Sequence, residues 1–209
     1  MDKKYWKNYY SKHRLASEPS LFAKFIVKNY NHKKNPSLIE LGCGNGRDSI
    51  FFNSEGYDVL AIDQVEEEIK FLEDQFEQTE RIRFESRDFT NLAAEGTYDV
   101  VYSRFTLHSV TAEQQSRAMN WAYDRLETGG LFCIEVRGRK NELYQQGAKV
   151  PGEEHAYIHD NHYRRFLDCN ALCKDLKKIG FSLIFSKEDK GFSPYKNTNE
   201  TFIRVVAKK

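Results

Sequence analysis

Residues 38–48 read LIELGCGNGRD. An apolar run ends in three glycines at every second position, Gly42, Gly44 and Gly46, with Glu40 ahead of them and Arg47 and Asp48 behind. A short apolar run ending in glycine reads as a buried strand. The stretch RDSIFFNSEG (47–56) then reads as a helix closed by Gly56. Bare backbone at this junction lets peptide N–H groups approach a ligand with no Cβ in the way. The helix start beyond it favours a carboxylate or phosphate. An ordinary tight turn is the plain alternative.

Working outward, strands and amphipathic helices alternate. YDVLAID (57–63) is a second strand, and VEEEIKFLEDQFEQ (65–78) is a helix with an acidic outer face. IRFES (82–86) and YDVVYSR (98–104) are the third and fourth strands. A helix from about Thr111 to Glu127 opens on a capping box of Thr111 and Gln114. Gly129 and Gly130 stop it, and LFCIEVRG (131–138) is a fifth strand. Such alternation means strand–helix–strand units about a parallel sheet. The pattern breaks after Arg137: residues 138–166 are polar, rich in His, Tyr and Arg, and carry only a weak helical signal. DCNALCKDLKKIG (168–180) resumes as a helix. FSLIFSKED (181–189) and TFIRVVAKK (201–209) are separated by a loop alone, so they pair antiparallel. Residues 3–13 and 19–30 read as two helices lying across the open end of the sheet.

In such a sheet the ligand lies beyond the carboxyl ends of the strands, where the glycine loop stands. An acid about 20 residues on accepts both ribose hydroxyls, and Asp63 ends the second strand as required. The ligand therefore carries a nucleoside. The dinucleotide fingerprint spaces its glycines G-x-G-x-x-G, whereas here the spacing is G-x-G-x-G, which weakens a nicotinamide-dependent oxidoreductase.

Glycine loop, Asp63, Asp88 in SRDFTNL, YDVVYSRFTLH and LETGGLFCIEV together resemble the motifs of class I S-adenosylmethionine (SAM)-dependent methyltransferases of the small-molecule type. The resemblance covers residues 37–137 well and the C-terminal topology loosely. It implies an α/β three-layer sandwich with a seven-stranded, mostly parallel sheet of order 3-2-1-4-5-7-6 closed by an antiparallel hairpin. It implies SAM as cofactor, with S-adenosylhomocysteine as product. The loop Glu40, Gly42, Cys43, Gly44, Asn45, Gly46 and Arg47 would border the methionine part, and Asp63, followed by Gln64, the ribose. Asp88 would meet the adenine amino group and Phe89 its ring; Ser103 and Arg104 would border the cofactor. Asp48 either accepts from the cofactor or is a first-turn helix acid. Trp6, Tyr9 and Tyr10 form an aromatic cluster, and Trp6 and Tyr10 are expected over the cofactor within an N-terminal helical lid (1–34); core packing is the alternative.

Acceptor residues should come from the fourth- and fifth-strand ends and from an acceptor-side insertion (138–166). His108 and His162 are candidate bases, and Arg137, Arg164 and Arg165 candidate anion ligands. These point to a small polar, anionic acceptor (phosphorylated, phosphonate, carboxylate or sugar) methylated on oxygen. Nitrogen methylation of a small molecule and a non-catalytic SAM-binding partner domain are the alternatives. The stretch HDNH (159–162) offers too few acids for a metal site, and none is expected.

Net charge is +1, from 32 Lys+Arg against 31 Asp+Glu, which argues against a long polyanion; no nucleic-acid partner is expected. Nor is a membrane, since no apolar stretch reaches the roughly 20 residues of a spanning helix. The four cysteines lack a C-x-x-C pair and read as packed, reduced thiols. MDKKYWKNYYSKHR lacks the apolar block of a secretory signal. The expectation is a single cytoplasmic domain spanning 1–209, as monomer or homodimer.

Overall fold

The computed structural model describes residues 3–11, 18–30, 33–76, 79 and 81–209. The parallel part of the main sheet is built from β1 (Ser37–Leu41), β2 (Asp58–Asp63), β3 (Ile82–Ser86), β4 (Tyr98–Arg104) and β5 (Leu126–Arg137). After a small antiparallel sheet of β6 (Ala148–Lys149), β7 (Ala156–His159) and β8 (His162–Arg165), the chain returns as β9 (Ser182–Asp189) and β10 (Phe202–Lys208). The main sheet has seven strands in the order β3-β2-β1-β4-β5-β10-β9. That is the 3-2-1-4-5-7-6 order of a class I methyltransferase fold, with β10 antiparallel to both β5 and β9.

Strand alternation divides the apolar residues between two faces. One face carries Ile39, Val101, Ile134 and Val205 against α5 (Ala112–Arg125) and α6 (Cys169–Ile179), through Met119, Ala122, Leu172 and Leu176. The other carries Leu38, Val100, Tyr102 and Val206 against α2 (Leu21–Tyr30), α3 (Arg47–Ser54) and α4 (Glu66–Gln75). Each fully buried side chain of the size of Phe22 or Leu38 contributes about 2 kcal/mol. The Thr111–Gln114 capping box is present at the start of α5.

Three local expectations are corrected. The weakly helical insertion is the three-stranded sheet of β6, β7 and β8. Its HDNH stretch is a hairpin tip: Asp160 and Asn161 both have positive φ, 53° and 54°, and His159 pairs with His162. Asp and Asn tolerate such φ in a two-residue turn. β5 starts at Leu126, ahead of the glycine pair, with Gly129 at φ 86° inside it. Helix α2 lies on a face of the sheet, with Phe22, Ala23 and Ile26 in the core, and does not cross its end. Of these two helices, α1 (Lys3–Tyr10), which buries no residue fully, reaches the ligand end. Residues 12–13 of the first expected helix and 77–78 of the fourth lie outside the described residues.

Candidate active site

The glycine loop turns because every second residue is left-handed. Gly42, Gly44 and Gly46 have φ of 78°, 55° and 72°, a region costing an L-residue about 1–2 kcal/mol. The N–H groups of Gly42 and Cys43 both donate to the Ile62 carbonyl, at 2.8 and 2.9 Å, which wraps the loop round the end of β2. There Asp63, buried, accepts from Gly44 N at 3.0 Å through Oδ2 and from Val65 N at 2.9 Å through Oδ1. Burial raises its pKa against the lowering effect of these bonds. Two backbone donors thus fix the carboxylate at the mouth of the loop, with lone pairs left over on both oxygens.

Aromatic side chains cover this mouth. A Cβ on Gly44 would fall 2.4 Å from Tyr10 Oη, so the Tyr10 ring lies directly on the loop backbone. Burial, and then Asp63, push the Tyr10 phenol well up. Tyr10 stacks on Trp6 (5.6 Å, 21°), and Trp6 meets His162 edge-on at 4.9 Å. Tyr5 stacks on His162 at 4.0 Å and 20°. A continuous aromatic path therefore runs from the glycine loop to the insertion. Lys7 pairs with Glu67 and ties α1 to α4. Among the described residues, two buried donors along this path, Gln64 Nε2 and Trp6 Nε1, have no partner, and neither does His162 Nδ1.

Several other expected cofactor residues face elsewhere, and Asp88 keeps one oxygen free. Glu40 lies under the loop, accepts from Ser49 Oγ, and has its carboxyl held well up by burial and by Asp48. Asp48 accepts from Ser20 N and Ser20 Oγ, both at 2.7 Å, and from the Tyr102 hydroxyl at 2.9 Å. It anchors α2 to the sheet and is only 3.8 Å from Arg47 Nε. The Cys43 side chain is buried in the core beside α3 and α4, its thiol pushed well up by burial. Asn45 stands half-buried between the last two glycines. Phe89 is in the core on the α5 side, not free to lie on a ligand. Asp88 is exposed, with Oδ1 accepting from Thr90 N and Oγ1 at 2.9 and 2.8 Å, so Oδ2 remains available. Ser103 bonds Thr106 Oγ1 at 2.5 Å behind Gly42, whose absent Cβ would meet Thr106 Cγ2 at 2.4 Å.

The side where acceptor residues are expected is built on arginines. Arg104 and Arg204 share the fully buried Glu135, one on each oxygen, at 2.9 and 2.5 Å. Arg137 pairs with Glu200 from the loop before β10, and with Asn141 at 2.8 Å. Strand alternation in β8 separates the expected pair Arg164 and Arg165. Arg165 bonds Val110 O at 3.2 Å and Gln115, and lines a separate cleft of about 560 Å³ between α5, α6 and the insertion. Arg164 shares the face of His162 and donates to His159 O at 3.0 Å.

Neither histidine is suited to take a proton near neutral pH. His108 is buried and accepts from Arg137 N at 3.3 Å through Nδ1, which occupies that lone pair. Burial, then Arg137, His162, Arg164 and Arg165, hold its pKa well below the usual range. His162 is held down to about 3 by burial, Arg164 and Arg137. Among the described residues, no three His, Cys, Asp or Glu side chains converge on a metal position, and no helix is long and apolar enough to cross a membrane.

Sequence reasoning missed Phe105. It follows β4 at φ 62°, a strained value for an aromatic residue. Its ring stacks on Phe202 (4.8 Å) and carries the Arg104 guanidinium at 4.0 Å. Glu135, Glu200 and Tyr5 were missed as well. Glu135 alone had a local signal, an acid inside the apolar run LFCIEV.

A search of curated proteins finds no match. Among solved structures, the chain is similar to the 1,6-didemethyltoxoflavin N1-methyltransferase of Burkholderia thailandensis, solved with 1,6-didemethyltoxoflavin and S-adenosylhomocysteine. The TM-score is 0.74, with 20% identity over 99% of this chain and 86% of that one. A SAM-dependent methyltransferase of Methanosarcina mazei gives a TM-score of 0.75 with 17% identity, over 88% of this chain and 96% of that one. The glycopeptide N-methyltransferase MtfA gives 0.70 with 15% identity, over 91% and 96%. At these identities the likeness is one of fold. Membership rests on the sequence itself: a family model described as a methyltransferase domain matches residues 6–185, and the chain belongs to that family.

Proposed function

We propose that the chain uses SAM to methylate a small polar, anionic acceptor, with oxygen as the receiving atom. The observation that carries this reading is the left-handed glycine loop closed by Asp63, whose carboxylate is fixed by two backbone N–H groups and keeps lone pairs for ribose hydroxyls. The residues present fit the cofactor. The loop offers a face that a Cβ would obstruct, and buried donors with no partner among the described residues stand at Gln64 and Trp6. Asp63 and Gln64 would hold the ribose, Oδ2 of Asp88 the adenine amino group, and the Gly42–Gly46 backbone the methionine portion. When bound, SAM supplies an electrophilic methyl carbon on a sulfonium.

The chain's own contribution is alignment, exclusion of water and charge. Helix α1, in segment 1–34, serves as a lid. Tyr10 must leave the face of Gly44 to admit a ligand, and Trp6 brings an aromatic surface suited to a sulfonium. Segment 138–166 forms the acceptor wall through His162 and Arg164. With both histidines held neutral, the site favours an acceptor that arrives already nucleophilic. A carboxylate, phosphate or phosphonate oxygen meets that condition. A nitrogen lone pair also does, and two of the similar structures are N-methyltransferases; nitrogen transfer is the second reading.

Calorimetry with S-adenosylhomocysteine tests the core of this reading. One molecule should bind per chain, and NADH should not compete. No binding would sink the proposal, and NADH binding alone would replace it with a dinucleotide enzyme.

A further inference from the structure

Four arginines surround the acceptor side, and their counter-charges differ. Arg104 divides Glu135 with Arg204 and lies on the Phe105 ring. Arg137 is matched by Glu200, and Asn141 braces both, donating to Glu200 Oε2 at 3.2 Å. Arg165 turns to the other face of β8 and bonds neutral groups there. Arg164 is half-buried, and among the described residues no carboxylate stands within ion-pair distance of it. One Nη donates to a backbone carbonyl, and most of the five guanidinium donors meet no acceptor among the described residues. Its burial beside Arg137 pushes its pKa down. Next to it stands the Tyr5–His162 stack, with His162 Nδ1 lacking a partner among the described residues.

We infer that Arg164 is the anchor for one carboxylate-like group on a flat, ring-bearing acceptor, and that Glu200 restricts the site to monoanions by occupying Arg137. The inference rests on the methyltransferase reading and narrows its substrate class. A guanidinium fork suits a planar carboxylate. Asp160 and Glu200 act on this half-buried cation only from beyond ion-pair distance, so a ligand that brings a carboxylate into contact gains what the fold lacks. Glu200 acts on selection as a repulsive element: a second anionic group would have to displace it from Arg137. The aromatic rings beside Arg164 supply the surface for the ligand's body.

The test is calorimetric titration of the S-adenosylhomocysteine-loaded protein with benzoate, benzamide and phthalate at pH 8. Benzoate should bind about tenfold or more tightly than benzamide, the range of one charge-assisted contact. Arg164→Gln should remove that advantage while cofactor binding persists, which reports an intact fold. Arg165→Gln should leave it in place. In the native chain phthalate should be no better than benzoate, and Glu200→Gln should shift the phthalate-to-benzoate ratio up by about tenfold. Equal binding of benzoate and benzamide, no benzoate binding to the loaded protein, an unaffected Arg164→Gln variant or an unchanged ratio in Glu200→Gln would each overturn the inference. Failure to load the cofactor would instead strike the reading beneath it.

Discussion

Gly44 is held by Asp63, 19 residues away, whereas Arg137 is held by Glu200, 63 residues away. The first pairing belongs to the half of the site that grips the cofactor in our reading, and the second to the half that receives the acceptor. In the first half the working groups are backbone, and glycine dictates their shape locally. In the second they are long charged side chains whose positions depend on partners from other elements. A backbone cradle suits a ligand that never varies. Side-chain charge can be re-paired by single substitutions, which is how one fold serves many substrates.

The contrast breaks most readily at Glu135. It is fully buried between Arg104 and Arg204, and its removal leaves two guanidiniums sharing no counter-ion. Glu135→Ala should lower unfolding free energy by about 3–5 kcal/mol, read from a denaturant titration. A loss under about 1 kcal/mol would mean that the acceptor side does not depend on this buried charge for its structure.

The glycine loop should break next. Gly44→Val places a branched side chain at φ 55°, against Tyr10. We expect cofactor affinity to fall by about 2 kcal/mol or more, from backbone strain and lost access. Asp63→Ala, which keeps the loop conformation open to glycine, should cost less, about 1.5 kcal/mol, the low end for one charged hydrogen bond. Calorimetry with S-adenosylhomocysteine ranks the two. Asp63→Ala costing more than Gly44→Val would place the grip in the carboxylate rather than in the backbone.

What could be read from the sequence divides along the same line. The loop and Asp63 were legible because alternating glycines encode alternating left-handed residues, a property of the chain alone. Phe89 was misplaced because adjacency to Asp88 does not tell which way a side chain faces, and the core took it. Asp48 found its partners 28 and 54 residues away, at Ser20 and Tyr102, beyond local reading. HDNH carried a usable signal: Asp-Asn between AYIH and HYRR is a hairpin turn. Reading that turn would have given the strand alternation that parts Arg164 from Arg165.

The finest test uses protons, because the two halves respond to pH with opposite sign. Burial raises the folded pKa of Asp63, so the native chain holds that proton more tightly than the unfolded one. Its contribution to stability therefore declines as pH rises from the usual carboxylate range through the raised value. His162 is held down to about 3, so the unfolded chain takes a proton that the native chain refuses. Its contribution is complete above the ordinary histidine value of about 6.5 and falls away as pH drops toward 3. Urea midpoints measured from about pH 4 to 7 should thus steepen upward with pH in Asp63→Asn and flatten in His162→Gln. The same slope change in both variants would mean that one shared titration, and not two separately built half-sites, governs this end of the sheet.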